Sequence, residues 1–183
     1  MKKKIGNYLL KQKLKKKTNR DTHFTGVNDA KLVGILFDAN NFDDYKRIKH
    51  FERDLHSKGK KVVLLGYEHN KVKNSQYIGD KNNGFITKKD FNWVNTPTDP
   101  FIDEFISQKF DILFVISSGN YFAIHYISLL SNAYFKVGCA GQNQHDFDLI
   151  LDMPANASVE EQLHQMWHYL KLISNTKTEP VDA

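Results

Sequence analysis

Lys109 to Gly138 reads KFDILFVISSGNYFAIHYISLLSNAYFKVG, and its reading decides the fold. Ile112-Leu113-Phe114-Val115-Ile116 is apolar at every position, the mark of a strand buried on both faces. The small polar residues Ser117-Ser118-Gly119-Asn120 interrupt it. A helix-length apolar segment, Tyr121 to Leu130, follows, and then a second short run, Phe135-Lys136-Val137-Gly138-Cys139. Two such runs joined by a helix make a parallel, right-handed βαβ crossover. The small residues lie where strand gives way to helix, the place where an α/β fold holds a ligand.

Outward from this unit the same alternation repeats. Leu32 to Phe37 reads as the first strand, and Asp38-Ala39-Asn40-Asn41 ends it. An asparagine N-cap followed by Asp43 and Asp44 starts a helix that places Tyr45, Ile48, Phe51 and Leu55 in one arc. Lys61 to Gly66 is the second strand. Tyr67 to Gly84 shows no helical face and reads as a long loop. Phe85 to Thr87 is a short third strand, with Phe91 and Trp93 expected to pack nearby. Phe101, Ile102, Phe105 and Ile106 mark a short helix, and Phe147 to Leu151 an edge strand. Ser158-Val159-Glu160-Glu161 is a capping box. It opens a helix whose apolar positions are Val159, Leu163, Met166, Trp167, Leu170 and Ile173. The expected fold class is α/β: a three-layer, mostly parallel, doubly wound, Rossmann-like sheet of five or six strands. The first strand and the Ile112–Ile116 strand should be neighbours at its switch point. Residues 1–30 read as a basic arm and linker, 31–175 as the domain and 176–183 as a frayed tail.

The chain of 183 residues carries a net charge of +5, and that charge is unevenly placed. Lys2, Lys3, Lys4, Lys11, Lys13, Lys15, Lys16, Lys17 and Arg20 fall in the first twenty residues without a single acid. The rest holds 17 basic and 21 acidic residues, a balance of −4. Such an arm attracts an anionic membrane surface, nucleic acid or an acidic protein face. Within it Ile5, Tyr8 and Leu9 share one side of a helix, and Leu10 and Leu14 fall on the other. No run is long and apolar enough to span a bilayer, and the lysines precede no apolar signal core. The lone Cys139 excludes an intramolecular disulfide and reads as a small buried residue. The expected location is cytoplasmic, peripheral at the inner face of the membrane.

The strand-end loops supply the candidate ligand site: Asp38, Asn40, Asn41, Glu68, His69, Ser117, Ser118, Gly119 and Asn120, with Gln142 and Asn143 beyond. Ser-Ser-Gly-Asn before a helix could hold phosphate on backbone N–H groups. Without a ligand, Ser117, Ser118 or Asn120 would cap the helix. Asp38 would repel a phosphate and should face a sugar hydroxyl or a bridging cation. No dinucleotide fingerprint and no P-loop occurs, so no cofactor is expected. Glu161, His164 and His168 share a helix face, but Gln165 stands where a zincin carries glutamate, and no metal is expected. No residue is assigned a catalytic role.

Three resemblances follow from particular residues. Phe37-Asp38-Ala39-Asn40 and Ile116-Ser117 resemble the first two motifs of haloacid-dehalogenase-type phosphatases. The motif's second acid is Asn40 here, and only Asp148 and Asp152 stand near its later acidic pair. Gly34 to Ala39, Leu65-Gly66-Tyr67, Ile86 to Trp93, Phe110 to Leu113 and Phe135 to Gly138 together resemble a family of small uncharacterised bacterial proteins. That family is best represented in Bacteroidota, is a domain of unknown function, and would span roughly residues 25–175. The same pattern is similar in outline to one Rossmann-like half of a GT-B glycosyltransferase of the heptosyltransferase kind. The chain has room for one such half. Two functions stand as expectations. One is a non-catalytic or accessory module whose arm meets an anionic surface. The other is a binder of, or enzyme on, a phosphorylated or nucleotide-type small molecule, glycosyltransferase-like or phosphatase-like, at the strand-end cleft.

Overall fold

The computed structural model describes residues 2–16, 20–70, 75–141, 147–154 and 156–176, the side chains of residues 2–5 and 16 excepted. Lys17, Gln142, Asn143 and the tail beyond residue 176 lie outside the described residues. The described chain forms one sheet of six strands, all pairs parallel, in the order β3-β2-β1-β4-β5-β6. The strands are β1 Leu32–Asp38, β2 Lys61–Glu68, β3 Asn83–Thr87, β4 Ile112–Ile116, β5 Lys136–Cys139 and β6 Leu149–Leu151. The helices are α1 Lys2–Lys16, α2 Phe42–Ser57, α3 Pro100–Ser107, α4 Phe122–Leu130 and α5 Val159–Thr176. β1 and β4 are hydrogen-bonded neighbours, and the chain winds away from them in both directions. This is the doubly wound order with its switch point between β1 and β4.

Side-chain alternation along the strands makes two cores. Val33, Ile35 and Phe37 of β1, with Ile112, Phe114 and Ile116 of β4, face α2 and α5, where Ile48, Phe51, Leu163, Met166 and Trp167 pack. Leu36, Leu113 and Val115 face the other way, onto Ile102 and Phe105 of α3 and onto α4. Asp111 anchors this centre, because its Oδ2 accepts from the backbone N–H groups of Lys31 (2.7 Å) and Leu32 (2.8 Å).

Several expectations change, though not the loop after β2: β2 and β3 are parallel, and the described residues between them include no helix. Tyr77 anchors this connection instead: its ring stacks on Phe85 (4.7 Å between centroids) and meets Tyr45 (5.3 Å). Its hydroxyl donates to Ala39 O, and burial pushes the phenol pKa up to about 12. Trp93 does not pack into the core. It is 69% exposed on the Asn92–Asn95 turn, while Phe91 alone turns inward. The arm is not a free extension either. α1 lies against the domain with Leu10 buried in the α3–α4 core and Leu14 packed beside it. Lys13 Nζ donates to Tyr126 Oη at 2.7 Å. Arg20, counted with the arm's cations, donates to Ala133 O (2.7 Å) and pairs with Asp148 (2.5 Å), so it locks the chain to the start of β5.

Val115, fully buried in the middle of the sheet, sets the first prediction. Val115→Asp places an unpaired charge between two apolar layers, a cost of several kcal/mol against a domain stability of about 5–15 kcal/mol. The variant should lose cooperative melting by circular dichroism. A soluble variant with an intact melting transition would show that β4 is not central.

Candidate functional site

Three helices begin at the carboxyl edge of the sheet and enclose a cleft of about 390 Å³. Asp38, Asn40, Asn41 and Asp44 line it from the β1–α2 junction, and Ser117, Ser118, Gly119 and Asn120 from the β4–α4 junction. Cys139 at the end of β5, with Ala140 and Gly141 after it, closes it. Met153, Pro154 and the first turn of α5, with Ser158 and Gln162, form the far wall. The structure thus brings seven of the sequence-expected residues together. It leaves Glu68 and His69 outside. Glu68 is buried in β2 at 2% exposure. The His69 ring packs on Tyr121 at 5.1 Å and meets Lys88 Nζ at 2.9 Å, while its backbone N–H donates to Asn40 Oδ1.

Asp38 is the organised group. Its Oδ1 accepts from Asn40 N (3.1 Å) and from Asn40 Nδ2, and its Oδ2 accepts from Ser118 Oγ (2.5 Å). The Tyr121 side chain also bonds to this carboxylate, so Asp38 is held from both the β1–α2 and the β4–α4 junctions. Ser118 is therefore a partner of Asp38 and not a helix cap. Ser117 Oγ donates to Gly119 O at 2.6 Å. Tyr121 stands at the N-cap of α4 and gives it no side-chain bond, so the capping expected of Ser117, Ser118 or Asn120 is absent. Burial, with Asp38 adding to it, raises the Tyr121 phenol pKa.

The other two helix starts are already satisfied. Asn41 Oδ1 accepts from Asp43 N at 2.9 Å, and Asp43 and Asp44 occupy the first turn of α2. Ser158 and Glu161 complete the capping box of α5, with Ser158 N donating to Glu161 Oε2 (2.7 Å) and Glu161 N to Ser158 Oγ (3.2 Å). Glu160 and Glu161 sit in that first turn. Burial raises the Asp44 carboxyl pKa, Arg47 opposes this, and Asp38 and Asp43 reinforce it. No Lys, Arg or His is among the described residues lining the cleft. The field there is negative, and an anion would find a welcome only at α4.

Of the two acids near the phosphatase motif's later pair, Asp148 lies away from Asp38: it accepts from Lys136 N at the amino end of β5 and pairs with Arg20. Glu161 Oε2 accepts from Ser158 Oγ at 2.9 Å, and the described residues hold no group of three or more His, Cys, Asp or Glu suited to a metal ion. Asp44, Cys139 and Gln162 were not expected at the site. The α5 capping box was legible, but nothing local in the sequence says that β6 returns α5 to this edge. Gly119 also acquires a new role. A Cβ there would lie 2.9 Å from the Tyr121 ring, so a larger residue would displace that ring before it met any ligand.

A family model described as "Family of unknown function (DUF6913)" matches residues 2–173. The match includes α1, which the resemblance read from the sequence left out. No curated protein and no solved structure matches. No helix among the described residues is long and apolar enough to cross a membrane.

Cys139 gives a probe of the cleft. Its Sγ donates to Gln162 Oε1 at 3.4 Å, and burial pushes the thiol pKa up to about 11. Reaction needs the thiolate, and two pKa units remove it about a hundredfold. At pH 8 the native protein should react with a disulfide reagent at least tenfold more slowly than the protein in guanidinium chloride. Equal rates would place Cys139 in open solvent.

Proposed function

The chain therefore belongs to that family of unknown function, and we propose that it binds a hydroxyl-bearing ligand of the sugar or nucleoside kind at the strand-end cleft. The lining carries this reading. Asp38 and Asp44 face the cavity at the switch point, and no basic side chain accompanies them among the described residues. Asp38, held by Ser118 and Asn40, is a preorganised acceptor for a hydroxyl. The outline resemblance to one half of a heptosyltransferase-type GT-B enzyme favours the same ligand class. A phosphate on such a ligand would sit at α4, the one helix start at this edge whose first turn holds no acid and whose cap residue gives the helix no side-chain hydrogen bond.

Thermal shift with nucleosides, sugars and their phosphorylated counterparts tests it. A ligand at ten times its Kd contributes about 1.4 kcal/mol, a rise of about 3–6 °C for a chain of this size. Uncharged members should shift Tm, their phosphates should do so less without a divalent cation, and Asp38→Asn should abolish the response. The reading fails if phosphorylated compounds shift more in metal-free buffer, if Asp38→Asn responds like the wild type, or if nothing shifts. Gly119→Val is unsuitable as a control because it strikes Tyr121.

A second reading is favoured by how α1 lies. Leu10 turns inward while Lys11 and Lys15 remain exposed. In this reading the protein is an accessory module whose basic helix meets an anionic surface: lipid, nucleic acid or an acidic protein face. With lipid, it is a cytoplasmic protein at the inner face of the membrane. Deleting residues 1–20 would bare the apolar face of α4, so charge removal is the cleaner test. Each lysine near an anionic membrane contributes about 1 kcal/mol. Lys11→Gln with Lys15→Gln should then weaken binding to anionic vesicles or polynucleotide about thirtyfold, and added salt should weaken the wild type steeply. Salt-independent binding, or an unaffected double variant, would leave the lysines as solvated charge.

A further inference from the structure

The arm's two apolar sides have different partners. Leu10 and Leu14 face the domain and pack with the core around α4. On the other side Tyr8 is 60% and Leu9 36% exposed. The Asn92–Asn95 turn meets α1 at Gly6, one helical turn before Leu9. A Cβ at Gly6 of α1 would lie 2.9 Å from Val94 O and 3.0 Å from Asn95 Cβ, so the helix and the turn are in contact and only glycine fits between them. Trp93 is at the tip of this turn, 69% exposed. Hydrogen bonds close the turn: Asn95 N donates to Asn92 O (2.9 Å), and Asn92 Oδ1 accepts from Val94 N and Thr96 N, both at 3.0 Å. One side chain ties both elements to α4. Tyr126 accepts from Lys13 of α1 at 2.7 Å and meets Phe91, two residues before Trp93, edge-on at 6.3 Å.

We propose that Tyr8, Leu9 and Trp93, with the exposed Lys11 and Lys15, form a docking surface for the interface of an anionic lipid bilayer. This rests on the reading that α1 meets an anionic surface, and it names which one. Trp and Tyr settle at the headgroup level of membranes, where a ring has apolar and polar neighbours together. Lysines beside them gain from anionic headgroups. An aliphatic side chain such as Leu9 gains nothing against a phosphodiester backbone but does gain in the acyl boundary. The surface has charge complementarity to lipid, since the first twenty residues hold cations and no acid. A lone amphipathic helix would need one clean apolar face. Here one apolar side is spent on the domain, and Trp93 completes the outward one.

Vesicles of phosphatidylcholine with and without about 30% phosphatidylserine test this with the full chain. Trp167 is 9% exposed in the core, so a change on binding reports Trp93. With anionic vesicles the emission should shift to the blue and acrylamide quenching should fall. Trp93→Ala, and separately Tyr8→Ser with Leu9→Ser, should weaken vesicle binding about tenfold with unchanged melting, because all three side chains are exposed. Four results would overturn the proposal. Vesicle binding with unaltered emission and unaffected variants would remove the docking surface while the anionic-surface reading stands. Binding of RNA or DNA in place of vesicles would assign the lysines to nucleic acid. A dimer that Trp93→Ala dissociates would assign the patch to a second copy of this chain. Binding to no anionic surface would remove both readings.

Discussion

An apolar helix must be covered on every side, and α4 sets the terms for everything around it. Ala123, Ile124, Tyr126, Ile127, Ser128 and Leu130 are all buried. The sheet covers one side through Leu36, Leu113 and Val115, and α3 flanks it. The remaining side would face water but for α1, whose Leu10 enters the same core. The carboxyl end of α4 is met from within. Lys136, 3% exposed at the start of β5, donates to Ser128 O at 2.5 Å and Leu129 O at 3.4 Å. A cation at the negative end of a helix dipole is favourable, more so where water is excluded. An apolar segment whose exposure would cost about 25 cal/mol per Å² thus recruits both a helix whose Lys13 lies 113 residues before Tyr126 and a buried ammonium.

The opposite end of α4 explains why the cleft has the character it has. At a switch point the helix starts usually present N–H groups to an anion. Here α2 and α5 fill that role with their own side chains, Asn41 with Asp43 and Asp44 on one, Ser158 with Glu160 and Glu161 on the other. Carboxylates stabilise those starts and leave the cleft negative. The same local stabilisation that caps two helices therefore makes those two helix starts poor seats for an anion. Asp38 adds to the field, held in place by Ser118 across the β1–β4 boundary.

Much of this was legible because burial writes itself into sequence. The strands β1, β2 and β4 are apolar at nearly every position, and the switch point followed from their order. The N-cap at Asn41 and the box at Ser158 were legible because capping is local chemistry. What escaped was settled by distant partners. Arg20 looked like one more cation of the arm, yet its partner Asp148 lies 128 residues away. Trp93 looked like core because large aromatics usually are, and only the turn geometry turns it outward. Glu68 and His69 followed a strand that ends at the correct edge, but Tyr121 stands between His69 and the cleft. Ser118 resembled a cap by position, and its proton goes instead to a carboxylate 80 residues earlier. Periodicity carries the first kind of information and none of the second.

The two surfaces singled out meet at one residue. Asn120, immediately before the first turn of α4, lines the strand-end cleft. It also lines the groove of about 470 Å³ between α1 and α4, together with Leu10, Leu14, Phe122 and His125. Tyr121, the next residue, touches Asn40 at 3.3 Å on the cleft side, while Tyr126 one turn on receives Lys13 from α1. The seating of α1 and the shape of the cleft are thus set by opposite faces of the same short helix. Because α4 is packed against the sheet, α3 and α1, it has little room to move for one neighbour without moving for the other. An arm that is docked on such a helix is part of the domain's architecture, consistent with a family match that begins at residue 2.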